Sequence, residues 1–272
     1  MNPTQIVRAL QHREGTAREV EDAVVVEEPL EIRVNGRPFS ATMRTPQGDE
    51  TDRFLTLGLL LAEGVISSYD DVVEVKISAR CRDFNGDLTN LADAILIEDV
   101  SDSGAKWARG IISNSSCGLC GHASVEALSS QLTPLNPTPL NVELLRRLPE
   151  RMRAQQTIFS QTGGLHAAAI FDSAGEILAC FEDIGRHNAT DKAVGFCLQN
   201  DLLFDSGNLV LLVSGRASFE IIQKALRARI GTVAAVSAAS SLAVELARKN
   251  GLNLVGFLRE RGLTIYSESL AR

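Results

Sequence analysis

The sequence predicts an α/β protein, a three-layer mixed sheet preceded by a smaller β-rich unit, and three observations predict it. In the second half, short apolar runs alternate with amphipathic stretches of helical length, and alternation of that kind specifies a sheet covered by helices on both faces. The first half carries strand signals on either side of an Asn-Gly turn. Between the halves, Thr133 to Pro139 holds three prolines and reads as a linker. The expected units are therefore residues 1–132, β-rich and ending in a mobile loop, and residues 140–272, an α/β unit that binds a ligand.

In order along the chain, strands are expected from Asp22 to Arg44, with Glu31 to Val34 and Phe39 to Met43 flanking Asn35-Gly36 and Pro38 complicating the return strand. Thr51 opens a helix through Glu63 that Gly64 stops. Val72 to Ile77 and Ala92 to Glu98 follow as strands, and Ser101 to Gly121, rich in Gly, Ser and Asn, is a long loop. The second unit opens with a helix at Asn141 to Gln156, despite Pro149. Leu165 to Phe171 and Glu176 to Glu182 form a hairpin about a turn at Asp172 to Gly175. Helices at Asn188 to Gln199, Ser218 to Arg229 and Ser241 to Lys249 then alternate with strands at Asn208 to Val213, Thr232 to Val236 and Asn253 to Phe257.

Bulk properties narrow the function. With 272 residues, 44% of them hydrophobic and 22% charged, a sizeable core is available. The start, from Met1 to Glu14, lacks the apolar stretch of a secretion signal, and no later run reaches membrane-spanning length. Five cysteines at uneven positions, 81, 117, 120, 180 and 197, argue against a secreted disulfide framework and for thiol chemistry in a reducing compartment, so the cytoplasm is expected. Net charge is −7, but Arg216 to Arg272 holds nine Lys or Arg against four Glu, which makes that part +5 and the remainder −12. A sequence pI near 5.2 is a poor fit to nucleic-acid binding, whereas the local excess suits a small polyphosphate.

The element order of the second unit resembles the cytidine deaminase fold. Zinc deaminases place a His or Cys and a Glu at one helix start and Pro-Cys-x-x-Cys at the next. Here those starts read Asp183-Ile184-Gly185-Arg186-His187-Asn188 and Ser214-Gly215-Arg216-Ala217-Ser218. The metal ligands are missing, so deamination is rejected and no zinc is expected.

The sharpest local feature is Cys117-Gly118-Leu119-Cys120-Gly121-His122. A Cys-x-x-Cys can be half a zinc site, a thioredoxin-like dithiol or two incidental thiols. No second close cysteine pair completes a zinc site, and the pair ends an irregular segment rather than joining a strand to a helix. What remains is a thiol pair on a glycine-braced arm, with reach for sulfur transfer. His122 reads as a thiolate-favouring neighbour or as a solvated loop residue.

Gln161-Thr162-Gly163-Gly164-Leu165-His166 reads as a tight turn with a satisfied core histidine or as a close approach to a ligand. The charged run Glu182 to Lys192, with Asp183 and His187, is either a solvated face or the lining of a pocket at a strand's carboxyl end. Ser214, Gly215 and Arg216 offer a helix start for phosphate, without a P-loop lysine or a Gly-x-Gly-x-x-Gly. Phe257, Leu258, Arg259, Glu260, Arg261 and Gly262 follow the last core strand, with two guanidiniums suited to phosphate.

Taken in order, Ser-Ser-Cys-Gly-Leu-Cys-Gly, Thr-Gly-Gly-Leu-His, Glu-Asp-Ile-Gly-Arg-His-Asn-Ala-Thr-Asp-Lys, Ser-Gly-Arg-Ala-Ser and Val-Gly-Phe-Leu-Arg-Glu-Arg-Gly identify the chain by resemblance as a member of the formate dehydrogenase accessory sulfurtransferases, the FdhD family. The resemblance implies that a cysteine desulfurase loads a persulfide onto Cys117 with Cys120 assisting. The sulfur would pass to the molybdenum bis-molybdopterin guanine dinucleotide cofactor of a formate dehydrogenase, for which GDP is an analogue. It further implies a homodimer and cofactor contacts from Phe257 to Gly262. Two competing classes stand beside it. A pure cofactor-binding chaperone would need the pocket but not the thiols, and a thiol-disulfide oxidoreductase the thiols but not the pocket.

Overall fold

The computed structural model describes residues 2–82, 88–97, 126, 130–136, 139–203 and 208–269. The chain opens with a hairpin of β1 (Thr4–Arg13) and β2 (Thr16–Val25), which sequence reasoning missed. Its turn, Glu14-Gly15, adopts positive φ at both positions, 49° and 78°. That is the geometry an Asn-Gly pair announces, here built on a glutamate that does not announce it. The expected Asn35-Gly36 hairpin is present as β3 (Glu28–Val34) and β4 (Arg37–Arg44), with φ of 50° and 74° in the turn. Pro38 stands opposite Arg33, beside a register shift, where the ladder forgoes its missing N–H.

Helix α1 (Asp49–Ala62) begins two residues before Thr51, with Gly48 at its N-cap and Asp49, Glu50 and Asp52 in its first turn. Negative charge there suits the amino end of a helix dipole. Strands β5 (Val72–Arg82) and β6 (Leu88–Leu96) complete a four-stranded sheet in the order β4-β3-β6-β5.

The second half contains α2 (Val142–Gln155), α3 (Thr157–Thr162), β7 (His166–Phe171), β8 (Ile177–Asp183), α4 (Arg186–Gln199), β9 (Val210–Val213), α5 (Phe219–Arg227), β10 (Thr232–Ala235), α6 (Ser241–Lys249), β11 (Asn253–Arg259) and β12 (Gly262–Ser267). Asn141 caps α2, accepting from Leu144 N at 3.1 Å, and the helix continues through Pro149. The short α3 and the edge strand β12 are additions to the sequence expectation. Six strands form one sheet in the order β12-β11-β10-β9-β7-β8, in which β9, β10 and β11 run parallel and β7, β8 and β12 are antiparallel to their neighbours. The whole is a mixed α/β protein with six α-helices among the described residues.

Alternation along the central strands feeds two cores. Ala168, Ile170, Leu211, Val213, Val233 and Leu254 point into one, shared with α4, α5, α6, α1 and the small sheet. Ala167, Ala169, Phe171, Leu212, Ala234 and Val255 point into the other, under α2. The first core joins the chain's halves, because α1 lies directly on α4. A Cβ at Gly58 would stand 2.0 Å from the Asp191 carbonyl oxygen, and one at Gly195 only 1.9 Å from that of Phe54. No side chain fits there, so the two glycines set the helix spacing. Phe54, Phe181 and Phe196 pack around one another beside that contact at centroid distances of 5.3 to 5.8 Å.

Candidate functional site

The carboxyl ends of β8, β9, β10 and β11 lie along one edge of the six-stranded sheet, with the start of β7 among them. Open α/β sheets bind ligands at such an edge. Here it carries a cavity of about 630 Å³, within the usual range for small-molecule sites. The sheet side of the cavity is His166, Ile184, Ser214 and Val236, and the cover is Pro149, Met152 and Arg153 of α2 with Phe159 of α3.

Each wall is held from behind. Buried Glu182 accepts from the backbone N–H groups of Ile158 at 2.9 Å and Phe159 at 2.7 Å, so its carboxylate fixes the start of α3. Phe159 in turn lies under the Arg153 guanidinium, 4.1 Å from the ring centroid, an arrangement that cation–π attraction favours. On the sheet side, Ser214 Oγ accepts from Ala167 N at 2.9 Å and stands 3.4 Å from His166 Nδ1. Burial pushes the His166 pKa down from its ordinary value, and the charges of Arg186 and His187 push the same way against Asp183. Its surroundings therefore favour the neutral imidazole.

Behind the cavity, the charged run from Glu182 to Lys192 is mostly interior, which settles the choice between a solvated face and an inner role. Asp183 and Lys192 are fully buried and paired at 2.6 Å. The other bonds of Asp183 go to the N–H groups of Thr45 (3.1 Å) and Gly185 (2.9 Å) and to the Asn188 amide (3.0 Å). Lys192 donates further to the carbonyls of Thr45 and Glu182, Asn188 donates to Met43 O, and Gln47 donates to Glu182 O. The run thus clamps residues 42–47, the end of β4 and the start of its link to α1, onto the second half. Buried Asp191 pairs with Lys224 of α5 at 2.7 Å, although burial raises its pKa. Only Arg186 and His187 turn toward the edge. His187 Nε2 meets Glu220 Oε2 at 2.9 Å, and that contact is the largest cause of the lowered Glu220 pKa.

Of the residues singled out in the sequence, Ser214 lines the cavity and Gly215 is buried behind it, where a Cβ would touch Arg186 and His166 at 3.4 to 3.5 Å. Arg216 points to solvent. The expectation that Phe257 to Gly262 follows the last strand needs correction. β11 runs on to Arg259 and β12 starts at Gly262, so Glu260 and Arg261 form the turn of a hairpin. Within it, Leu258 is fully buried in the core under α2, which directs its side chain away from any ligand at the surface. Phe257, at a bulge with φ of 51°, is 49% exposed, an unusual conformation for an aromatic residue. Arg259 donates to the carbonyls of Val236 and Leu258, which places its guanidinium beside the cavity, and the exposed Arg261 stands at the turn.

Cys117, Cys120 and His122 lie outside the described residues. Burial raises the thiols of Cys180 and Cys197 to about 12 each, with Glu182 adding to the effect at Cys180, so neither offers a thiolate near neutral pH. Sequence reasoning missed Met152, Arg153 and Phe159. The signal for Met152 and Arg153 was the amphipathic pattern of α2, which does not say what the helix covers, and Phe159, in the short α3, had none.

Sheet order and edge together define a three-layer α/β protein with a cavity at the carboxyl ends of its strands. Residues 25–271 match the family model FdhD/NarQ, and the chain belongs to that family. It is 44% identical over 268 residues to a protein of Streptomyces avermitilis named sulfur carrier protein FdhD, with 97% of this chain and 94% of the relative covered. A Mycobacterium tuberculosis protein of the same name is 45% identical over 254 residues, covering 91% of each. A crystal structure of a Desulfotalea psychrophila chain assigned to formate dehydrogenase accessory proteins superposes with a TM-score of 0.74, covering 98% of this chain and 97% of that one at 20% identity. That likeness supports the fold. Among the described residues, no helix is long and apolar enough to cross a membrane.

Proposed function

We propose that the chain is a cytoplasmic sulfur carrier and sulfurtransferase that takes sulfur from a cysteine desulfurase onto Cys117 and delivers it to the molybdenum bis-molybdopterin guanine dinucleotide cofactor destined for a formate dehydrogenase. Membership of a family whose relatives are named sulfur carriers carries the reading, together with the Cys117–Cys120 pair in this sequence. In the loading step, the Cys117 thiolate attacks the outer sulfur of the donor's persulfide, a new S–S bond forms as the old one breaks, and the donor thiolate leaves with no net oxidation. Attack of Cys120 on Cys117 Sγ then releases sulfide and leaves a disulfide for cellular thiols to reduce.

The cavity suits one guanine nucleotide of that cofactor. Its volume fits a single nucleotide, Phe159 and Arg153 offer a flat cationic wall, and Arg259, bonded to the Val236 carbonyl, offers a guanidinium for phosphate, with Arg261 two residues on in the turn. The remaining bulk of the cofactor would extend past the exposed Phe257. A cytidine deaminase-like core and a working unit of two copies belong to the same reading.

The test is mass spectrometry after incubation with a cysteine desulfurase and cysteine. The peptide containing Cys117 should gain one sulfur atom, and Cys117→Ala should abolish both that gain and activation of the dehydrogenase. An unmodified Cys117 peptide, or full activation by the variant, refutes the carrier reading.

A further inference from the structure

At the bend between α2 and α3, Gln156 is 5% exposed and belongs to the cavity wall. Its backbone is fully used. The N–H donates to Arg153 O at 3.1 Å where α2 ends, and the carbonyl accepts from Ser160 N at 3.1 Å where α3 begins. Its side-chain amide hydrogen-bonds to no group among the described residues. The other polar side chains of the wall are already engaged, since His166 and Ser214 stand 3.4 Å apart and Arg153 lies over the Phe159 ring. An amide carries two donors and an acceptor, which cost free energy when buried and left unmet. A ligand that fills the cavity and strips solvent from Gln156 must therefore replace those bonds.

We propose that Gln156 reads the edge of the nucleotide base, its carbonyl oxygen accepting from guanine N1–H and its NH2 group donating to guanine O6. The inference rests on the guanine-nucleotide reading of the cavity and adds which way the nucleotide lies. An amide offers a donor and an acceptor side by side in one plane and pairs with a group that offers the reverse. Phosphate offers acceptors alone. It would meet the NH2 group but set negative oxygens against the amide carbonyl, which excludes the phosphate end from this part of the wall. A purine edge carries acceptor and donor next to each other, the match by which side-chain amides read bases in nucleic-acid complexes. Adenine offers the same two groups in the opposite order, which an amide meets by turning over. Gln156 thus selects against an edge blocked at the ring nitrogen rather than for guanine over adenine. Its place in the chain fits the same pose. Gln156 comes three residues after Arg153 and three before Phe159, which together make the flat wall, so a base stacked on that wall brings its edge to the amide. The phosphates then extend toward Val236, whose carbonyl holds Arg259.

Calorimetry of the full chain with GDP and with 1-methylguanosine diphosphate tests it, because the methyl group removes the N1–H donor and leaves the phosphates unchanged. The wild type should bind GDP about tenfold or more tightly than the methylated nucleotide, the size of a bidentate amide–base pair. Gln156→Leu should lose that factor for GDP and hold the methylated nucleotide at its wild-type affinity or better. Gln156→Met, closer in length to the native side chain, should do the same. The thermal midpoint of both variants should stay within about 2 °C of wild type, because an amide without a protein partner has no bond to lose. Equal wild-type affinity for the two nucleotides, or both nucleotides weakened alike in the variants, overturns Gln156 as the base reader while the nucleotide reading stands. A larger fall in the midpoint of both variants assigns the amide to the fold and overturns it as well. A wild type that binds no GDP overturns the nucleotide reading and this inference together.

Discussion

The two faces of the six-stranded sheet are covered unequally. On one, α1, α4, α5 and α6 form a continuous layer whose core extends into the small sheet. On the other, α2 and the six-residue α3 cover a smaller core and leave the cavity open at the carboxyl edge. The thick face holds the molecule together and the thin face leaves room for a ligand. Damage on the thick side should therefore read out as stability, and damage on the thin side as binding.

The largest effect that can break this division lies at Asp183. Asp183→Ala leaves the fully buried Lys192 ammonium without its carboxylate, which should cost about 3 to 5 kcal/mol. That corresponds to a fall in the thermal midpoint of roughly 10 °C for a chain of this size. A midpoint within about 2 °C of wild type would show that the clamp on residues 42–47 is dispensable, and the thick face would lose its assigned role.

On the thin side, Arg259→Ala and Arg261→Ala should each weaken GDP binding by about tenfold or more, since a charge-assisted contact is worth roughly 1.5 to 3 kcal/mol. Neither residue belongs to a core, so the thermal midpoint should stay within about 2 °C. Added salt should weaken binding further by screening. Calorimetry that finds wild-type affinity in both variants places the phosphates elsewhere.

The smallest effect is the dependence on pH at His166. Its folded pKa lies below the ordinary value, so the fold favours the neutral ring. The stability this supplies is fully present above the unfolded histidine pKa of about 6.5 and is lost as pH falls through the folded value. Denaturant midpoints measured from pH 7.5 to 5 should fall less steeply in His166→Gln than in the wild type. Identical slopes would remove the buried, neutral histidine from the cavity wall.

Much of this architecture was legible in the sequence wherever a local signal carried it. Asn35-Gly36 announced its turn, and the alternating runs after Asn208 announced the parallel strands. Glu14-Gly15 adopts the same turn geometry without the same signal, so the first hairpin was unreadable. Leu258 and Phe257 look alike as apolar residues near a basic turn, yet the bulge sends one into the core and the other to solvent. The cavity itself was beyond reach. Its cover comes from α2 and α3 and its floor from residues as far along as Val236, 77 positions beyond Phe159, a pairing fixed only by long-range packing. The run from Glu182 to Lys192 was ambiguous for a related reason, since its charges are interior only because residues 42–47 and α1 close over them.

The contact of Gly58 with Asp191 and of Gly195 with Phe54 also bears on how the chain is made. The apolar side of α1, with Leu57 and Leu60 fully buried in the finished molecule, finds its mate only after about 135 further residues have been synthesised. At about 5 to 20 residues per second, a nascent chain displays that surface for roughly 7 to 27 seconds. During this interval the apolar side of α1 lacks its mate, and slower synthesis between residues 62 and 186 would lengthen its exposure.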